Sequence, residues 1–176
     1  VAHDELDLLI ALLDELRPEV LGIGHGRDTT ATRRAHLAAQ RWEARGGHLA
    51  ALVSWPDTAA SWLRQATKLT EDADTWLIAD HPTGWAGIGP RLADDGRWSA
   101  TRTVAFSSLA HPDLPRLAGA AATEGVHGAY GAEAPAYSRR NMASADGAGA
   151  WVFRHGLLIH RPAPPCGDSK ARRQLV

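Results

Sequence analysis

Cysteine is nearly absent from this chain. The single Cys166 rules out an internal disulfide and any cysteine-rich metal site, and it leaves a reducing compartment open. Charge of one sign is not in surplus either: the formal net charge is −1, which gives no electrostatic case for nucleic acid or an anionic membrane. No apolar run approaches the roughly 18 residues of a membrane span. No basic stretch followed by an apolar segment and a small-residue cleavage site is present, so with Val1 taken as the start the expectation is a cytoplasmic protein. Several standard sites are also missing. Gly22-Ile23-Gly24-His25-Gly26 is neither a Gly-x-Gly-x-x-Gly fingerprint nor a Walker loop, and no Gly-x-Ser-x-Gly elbow, His-Glu-x-x-His helix or Cys-x-x-Cys pair occurs.

What the chain does have is an alternation of apolar strands and helical patterns over 176 residues, a length that suits one domain. Leu6, Leu9, Ile10, Leu13 and Leu16 fall on one face of a helix over residues 4–17, stopped at Pro18. Leu8 and Leu12 widen that face, which predicts either deep packing or a homo-oligomer formed through this helix. Residues 20–24 read as a first strand running into a phosphate-loop-like turn. A helix over 30–45 follows, ended by Gly46-Gly47. Residues 48–55 are a second strand, after which Asp57 or Thr58 caps a helix with Trp62, Leu63, Ala66 and Leu69 inward. Strands over 75–79, 102–107 and 126–130 alternate with a helix over 85–92, weakened by Gly87, Gly89 and Pro90, and a brief one over 114–118.

The long Ala/Ser/Gly-rich segment 131–149 reads as a loop or lid. Residues 151–160 form two short strands about His155-Gly156, and a Pro-rich, then basic, tail runs from 162 to 176. The predicted architecture is a single α/β domain over 1–161. It is a three-layer α/β/α sandwich with a mainly parallel sheet of about five strands in the flavodoxin-like order 2-1-3-4-5, plus a C-terminal hairpin at one edge.

Polar residues cluster where strands end. The four exits offer His25 with Arg27 and Asp28, Ser54 with Trp55 and Asp57, Asp80 with His81, and Ser107 with Ser108 and His111. In an open α/β sheet these exits line a ligand crevice. Trp55 or Trp85 would supply a flat apolar wall, although most of the seven Trp are expected in the core. His25 and His81 are the candidate acid–base groups, with Asp80 or Asp28 to orient the ring. Each also has a bland reading: Asp28, Asp57 and Asp113 as helix caps, and His81-Pro82 and His111-Pro112 as turns. Nine His leave a metal site from scattered loops open, for instance His25, His81 and His111 with Asp80, but no cofactor is specified.

The stretches Leu21-Gly22-Ile23-Gly24-His25-Gly26, residues 53–64 and Trp76-Leu77-Ile78-Ala79-Asp80 resemble a group of small actinobacterial proteins described as ABC-transporter substrate-binding proteins. The wider likeness is to one lobe of a type I periplasmic binding protein, and it covers roughly residues 20–128. That resemblance implies binding of a small polar or aromatic molecule at the strand exits. A more local likeness joins Gly24-His25-Gly26-Arg27-Asp28 to the His-Gly turn of the small cobalt and iron chelatases of tetrapyrrole synthesis, which implies a second metal-binding His from His81 or His111. The leading expectation is therefore a small-molecule binder. The competing one is a cytoplasmic enzyme that uses His as acid–base group or metal ligand.

Overall fold

Strand residues of this chain alternate between two buried faces, and that double burial sets the architecture. The computed structural model describes residues 4–132 and 147–166. Along the chain come α1 (Glu5–Leu16), β1 (Leu21–Gly26), α2 (Thr29–Ala44), β2 (Leu49–Trp55), α3 (Leu63–Thr70) and β3 (Thr75–Ala79). These are followed by α4 (Pro82–Asp94), β4 (Thr103–Phe106), α5 (Leu114–Ala118), β5 (His127–Tyr130), β6 (Gly149–Arg154) and β7 (Leu157–Arg161). They build one seven-stranded sheet in the order β2-β1-β3-β4-β5-β6-β7. The first five strands are parallel, while β6 and β7 add an antiparallel hairpin beyond β5. The predicted strand order and edge hairpin are both present.

Each face of the sheet carries its own core. Trp76, Ile78 and Ala105 pack with Ala66 and Leu69 of α3, Trp85, Ile88 and Leu92 of α4, and Leu114 of α5. On the other side Leu21, Ile23, Leu77, Val104 and Phe106 pack with α1 and α2. Parallel strands covered on both sides are mostly apolar, as β3 (TWLIA) and β4 (TVAF) are. The wide apolar face of α1 is absorbed within the chain: Leu6, Leu8, Leu9, Ile10, Leu12 and Leu13 are all buried.

The glycine-rich opening is strand, not turn. Gly22, Gly24 and Gly26 stand at alternate positions of β1 and so share one face. A Cβ on Gly24 would come within 2.4 Å of the Trp55 ring, and one on Gly22 within 3.1 Å of Trp76. The glycines are there to seat large indoles, which explains why the stretch only looked like a phosphate loop.

Two other expectations need correcting. α3 starts at Leu63, with neither Asp57 nor Thr58 capping it, and Leu63 is exposed. The cause is Trp62, whose Nε1 donates to the Pro56 carbonyl at 2.9 Å and folds residues 56–62 into a loop of their own. α4 is longer than its composition suggests. Its glycines lower helix propensity, but Gly87 receives the Trp62 ring and Gly89 lies close to Ala122, and tertiary packing prevails.

Local signals elsewhere held. Gly46 lies in the left-handed region (φ +88°) at the end of α2, and the hairpin turns through His155 (φ 54°) and Gly156 (φ 73°). Most of the segment read as a lid, residues 133–146, lies outside the described residues, as does 167–176 of the tail. The nearer part of that tail lies against the core, with Ala163 and Cys166 half-buried beside the α1 cluster. Among the described residues no helix is long and apolar enough to cross a membrane.

Gly24→Ala is expected to lower unfolding free energy in urea by about 2 kcal/mol, because the new methyl group overlaps a fully buried indole. Gly96→Ala, where a Cβ meets nothing within 4 Å, serves as control and is expected to leave the midpoint unchanged.

Candidate functional site

The chain leaves β1 toward α2 on one face of the sheet, and leaves β3 toward α4 on the other. These adjacent parallel strands therefore form the topological switch point, beyond whose carboxyl ends ligands bind in such sheets. Gly26 ends β1 and Arg27-Asp28 follows it, Asp57 follows β2 and Asp80-His81 follows β3.

Asp80 is the buried centre, 1% exposed. Its Oδ2 accepts from Trp55 Nε1 at 2.8 Å, while its Oδ1 is buried without a hydrogen-bond partner. Glycine makes room for it: a Cβ on Gly84, in the first turn of α4, would stand 2.4 Å from the carboxylate, and one on Gly26 2.6 Å from Oδ1. Ser108 Oγ donates to the Asp80 backbone carbonyl at 2.6 Å, which ties the β4 exit to the β3 exit. Burial raises the Asp80 carboxyl from the usual 3.8 to about 6, opposed by the Trp55 hydrogen bond, the His81 backbone N–H and the His81 ring.

Around this centre the rim is open. His81 Nε2 lies 3.8 Å from Asp28 Oδ2 and 3.8 Å from Asp57 Oδ2, with the three side chains 37%, 42% and 50% exposed. Asp28 also caps α2, accepting from the Ala31 N–H at 2.9 Å through Oδ1. Its cap role and its place on the rim use different oxygens. Arg27 is exposed beside it.

The expected residues divide into those gathered here and those held elsewhere. Asp28, Asp57, Asp80 and His81 converge. His25 does not: it is 5% exposed, its Nδ1 contacts the Gly26 carbonyl at 2.7 Å, and its ring packs 6.0 Å from His36 of α2. Strand alternation is the reason, because His25 follows Leu21 and Ile23 onto the α2 face while Gly26 faces Asp80. Burial lowers the His25 pKa, which favours the uncharged ring. Trp55 and Trp85 are 0% exposed and form no wall of the crevice; Trp85 Nε1 donates to the Ala122 carbonyl.

The β4 exit is less involved than expected. The Ser107 N–H donates to Glu5 of α1, and exposed His111 accepts from the Asp113 N–H within its own turn. Ser54 is half-buried and in register with His25. The ring of His81 is flanked by Asp28, one of the two acids expected to orient it, and by Asp57. The sequence reading does not assign Gly26 and Gly84 to the site; for Gly84 the available signal is a glycine four residues after an acid, where a helix begins.

The fold is that of one lobe of a type I periplasmic binding protein, with its mostly parallel sheet and flanking helices. No family model matches the chain, nor does any curated protein sequence. Among solved structures, a leucine-binding protein from Thermotoga maritima is similar over 93% of this chain and 67% of its own, with TM-score 0.70 and 10% identity. A substrate-binding periplasmic protein from Ralstonia solanacearum is similar over 72% of this chain, with TM-score 0.61 and 20% identity. A solute-binding protein of an ABC transporter from Rhodopseudomonas palustris, in complex with 4-hydroxybenzoate, is similar over 77%, with TM-score 0.58 and 14% identity. The chain spans 35% and 38% of the length of the latter two. One expectation is corrected here. The Ralstonia protein is described as periplasmic and another similar structure, from Rhodopseudomonas palustris, as an extracellular ligand-binding receptor, which points away from a cytoplasmic location. Export leaders are cleaved, so a sequence without one is no argument for the cytoplasm.

Asp80 binds its proton near pH 6 when folded and near 3.8 when unfolded. Its stabilising contribution is therefore fully present below 3.8 and is lost as pH rises through about 6, a change of about 3 kcal/mol. Asp80→Asn removes that loss. The unfolding free energy of the variant minus that of the parent is expected to increase from pH 4 to pH 7; a flat difference contradicts the assignment.

Proposed function

We propose that this chain binds a small polar or aromatic molecule in the crevice over the carboxyl ends of β1, β2 and β3. The observation that carries the reading is the meeting of three strand exits at the switch point, where Asp28, Asp57 and His81 stand open to solvent around a buried Asp80. The likeness of the fold to binding-protein lobes supports it, and two of the neighbours are named for leucine and 4-hydroxybenzoate. Those two compounds set the size of ligand to try first.

The rim offers matched polar chemistry. Its carboxylates accept hydrogen bonds from hydroxyl or ammonium groups, Arg27 supplies a cation for an acidic ligand, and His81 takes either role. Half-exposed side chains around a closed, buried base are also what a pocket wall needs, since the base holds position while the rim adjusts. A binder of this kind requires no acid–base step, which agrees with the burial of His25 away from the rim.

The test is a thermal-shift screen in chelator-containing buffer with amino acids, aromatic carboxylates and sugars, followed by calorimetry on any hit. A saturable hit is expected, with affinity at least tenfold weaker in Arg27→Ala and His81→Gln. No stabilising compound, or a hit indifferent to both substitutions, overturns the proposal.

A further inference from the structure

Asp80 Oδ1 poses a chemical problem that a small organic ligand at the rim does not by itself solve. It is a carboxylate oxygen, buried, without a hydrogen-bond donor, in a side chain 1% exposed. A buried charged group is ordinarily paired or bound to a metal. The oxygen is not turned into the apolar core. A Cβ built on Gly26 would stand 2.6 Å from Asp80 Oδ1 and 3.4 Å from Asp28 Oδ2, so both oxygens border the same bare backbone position. Asp28, Asp80 and His81 each bring one donor atom to a common place, all within 4.8 Å of one another.

We propose that these three side chains, with Asp57 beside them, form a binding site for a divalent transition-metal ion. Two ligands of one ion, each about 2.1 Å from it, are separated by about 3.4 Å in a tetrahedral site and up to about 4.2 Å in wider geometries. The spacings of 3.8 Å from His81 Nε2 to Asp28 Oδ2 and to Asp57 Oδ2 lie within that span. One imidazole with carboxylates is a donor set for zinc, cobalt, manganese or iron(II), and the imidazole sets it apart from an all-oxygen calcium site. The two helix N-termini that open here, of α2 and α4, each add about half a positive charge. Asp28, Asp57 and Asp80 bring a full negative charge each when ionised, so the local field still favours a cation.

The backbone and its caps hold the donors ready. Trp55 fixes one carboxylate oxygen of Asp80 and leaves the other free; the α2 cap fixes one oxygen of Asp28 and leaves the other free. Pro82, the first residue of α4, restrains the backbone next to His81. The rim exposure of His81, Asp28 and Asp57 leaves the ion accessible from solvent, with room for water or a ligand oxygen to complete its coordination. The donor atoms meet in this way whether or not the crevice takes an organic ligand.

The experiment uses the full chain stripped with chelator, then titrated with Zn2+ and Co2+ without any organic compound. Calorimetry is expected to give one equivalent of metal, and the Co2+ adduct a visible d–d absorption. Asp28→Asn keeps a capping oxygen and Asp80→Asn keeps the volume, so both are expected to fold, as circular dichroism will verify. Each, like His81→Ala, is expected to weaken the metal at least tenfold, while His155→Ala on the distant hairpin turn leaves it unchanged. Absence of stoichiometric binding, or binding that survives Asp28→Asn and His81→Ala together, overturns the proposal. The ligand screen is run in chelator, so its failure and the failure of the metal site are separate results.

Discussion

The contact on which most else depends is the indole of Trp55, laid over the bare backbone of Gly24 and donating its N–H to Asp80. It joins the ends of three strands. Trp55 closes β2, Gly24 belongs to β1 and Asp80 follows β3, so one side chain links the three strands that carry the candidate site. The same pairing of ring and glycine recurs where Trp62 meets Gly87 and Trp151 meets Gly128. Large rigid side chains need neighbours without a Cβ, and this chain supplies them at each place. Tryptophan is the main source of aromatic bulk in the core beneath α3 and α4, while the other core holds Trp42 and Phe106.

Anchoring Asp80 in that way has an electrostatic consequence. Burial penalises its charge, one oxygen is satisfied by Trp55 and the other is not, and the carboxyl is pushed up to about 6. Such a group is costly for a fold to keep. A buried acid whose pKa is shifted by desolvation beside specific charged partners is a functional-site candidate. Here the shifted acid lies directly beneath a rim of two further acids and a histidine at the switch point. The helical caps reinforce the arrangement, since Asp28 spends one oxygen on α2 and presents the other to His81.

Much of the fold was legible in residue order. β3 and α5 have the predicted bounds, and the strand order follows from right-handed crossovers between consecutive units. The left-handed glycine at the end of α2 and the His155-Gly156 turn were legible because their signals are local. α3 and α4 were misjudged because their limits are set by Trp62, which reaches Pro56 along the chain and Gly87 across space. No local pattern reports that contact. The site was legible as a list of strand-end residues, but His25 and the tryptophans were assigned to the crevice when strand parity and burial put them in the core.

By itself, then, the sequence determined the class of fold and the rim acids, because hydrophobic period and strand-end polarity are properties of neighbouring residues. Which of those polar residues share a point in space was decided only by the tertiary structure. Asp28, Asp57, Asp80 and His81 meet because the glycines of β1 and α4 let an indole and a carboxylate approach the backbone, and such close approach depends on atoms far apart in the chain.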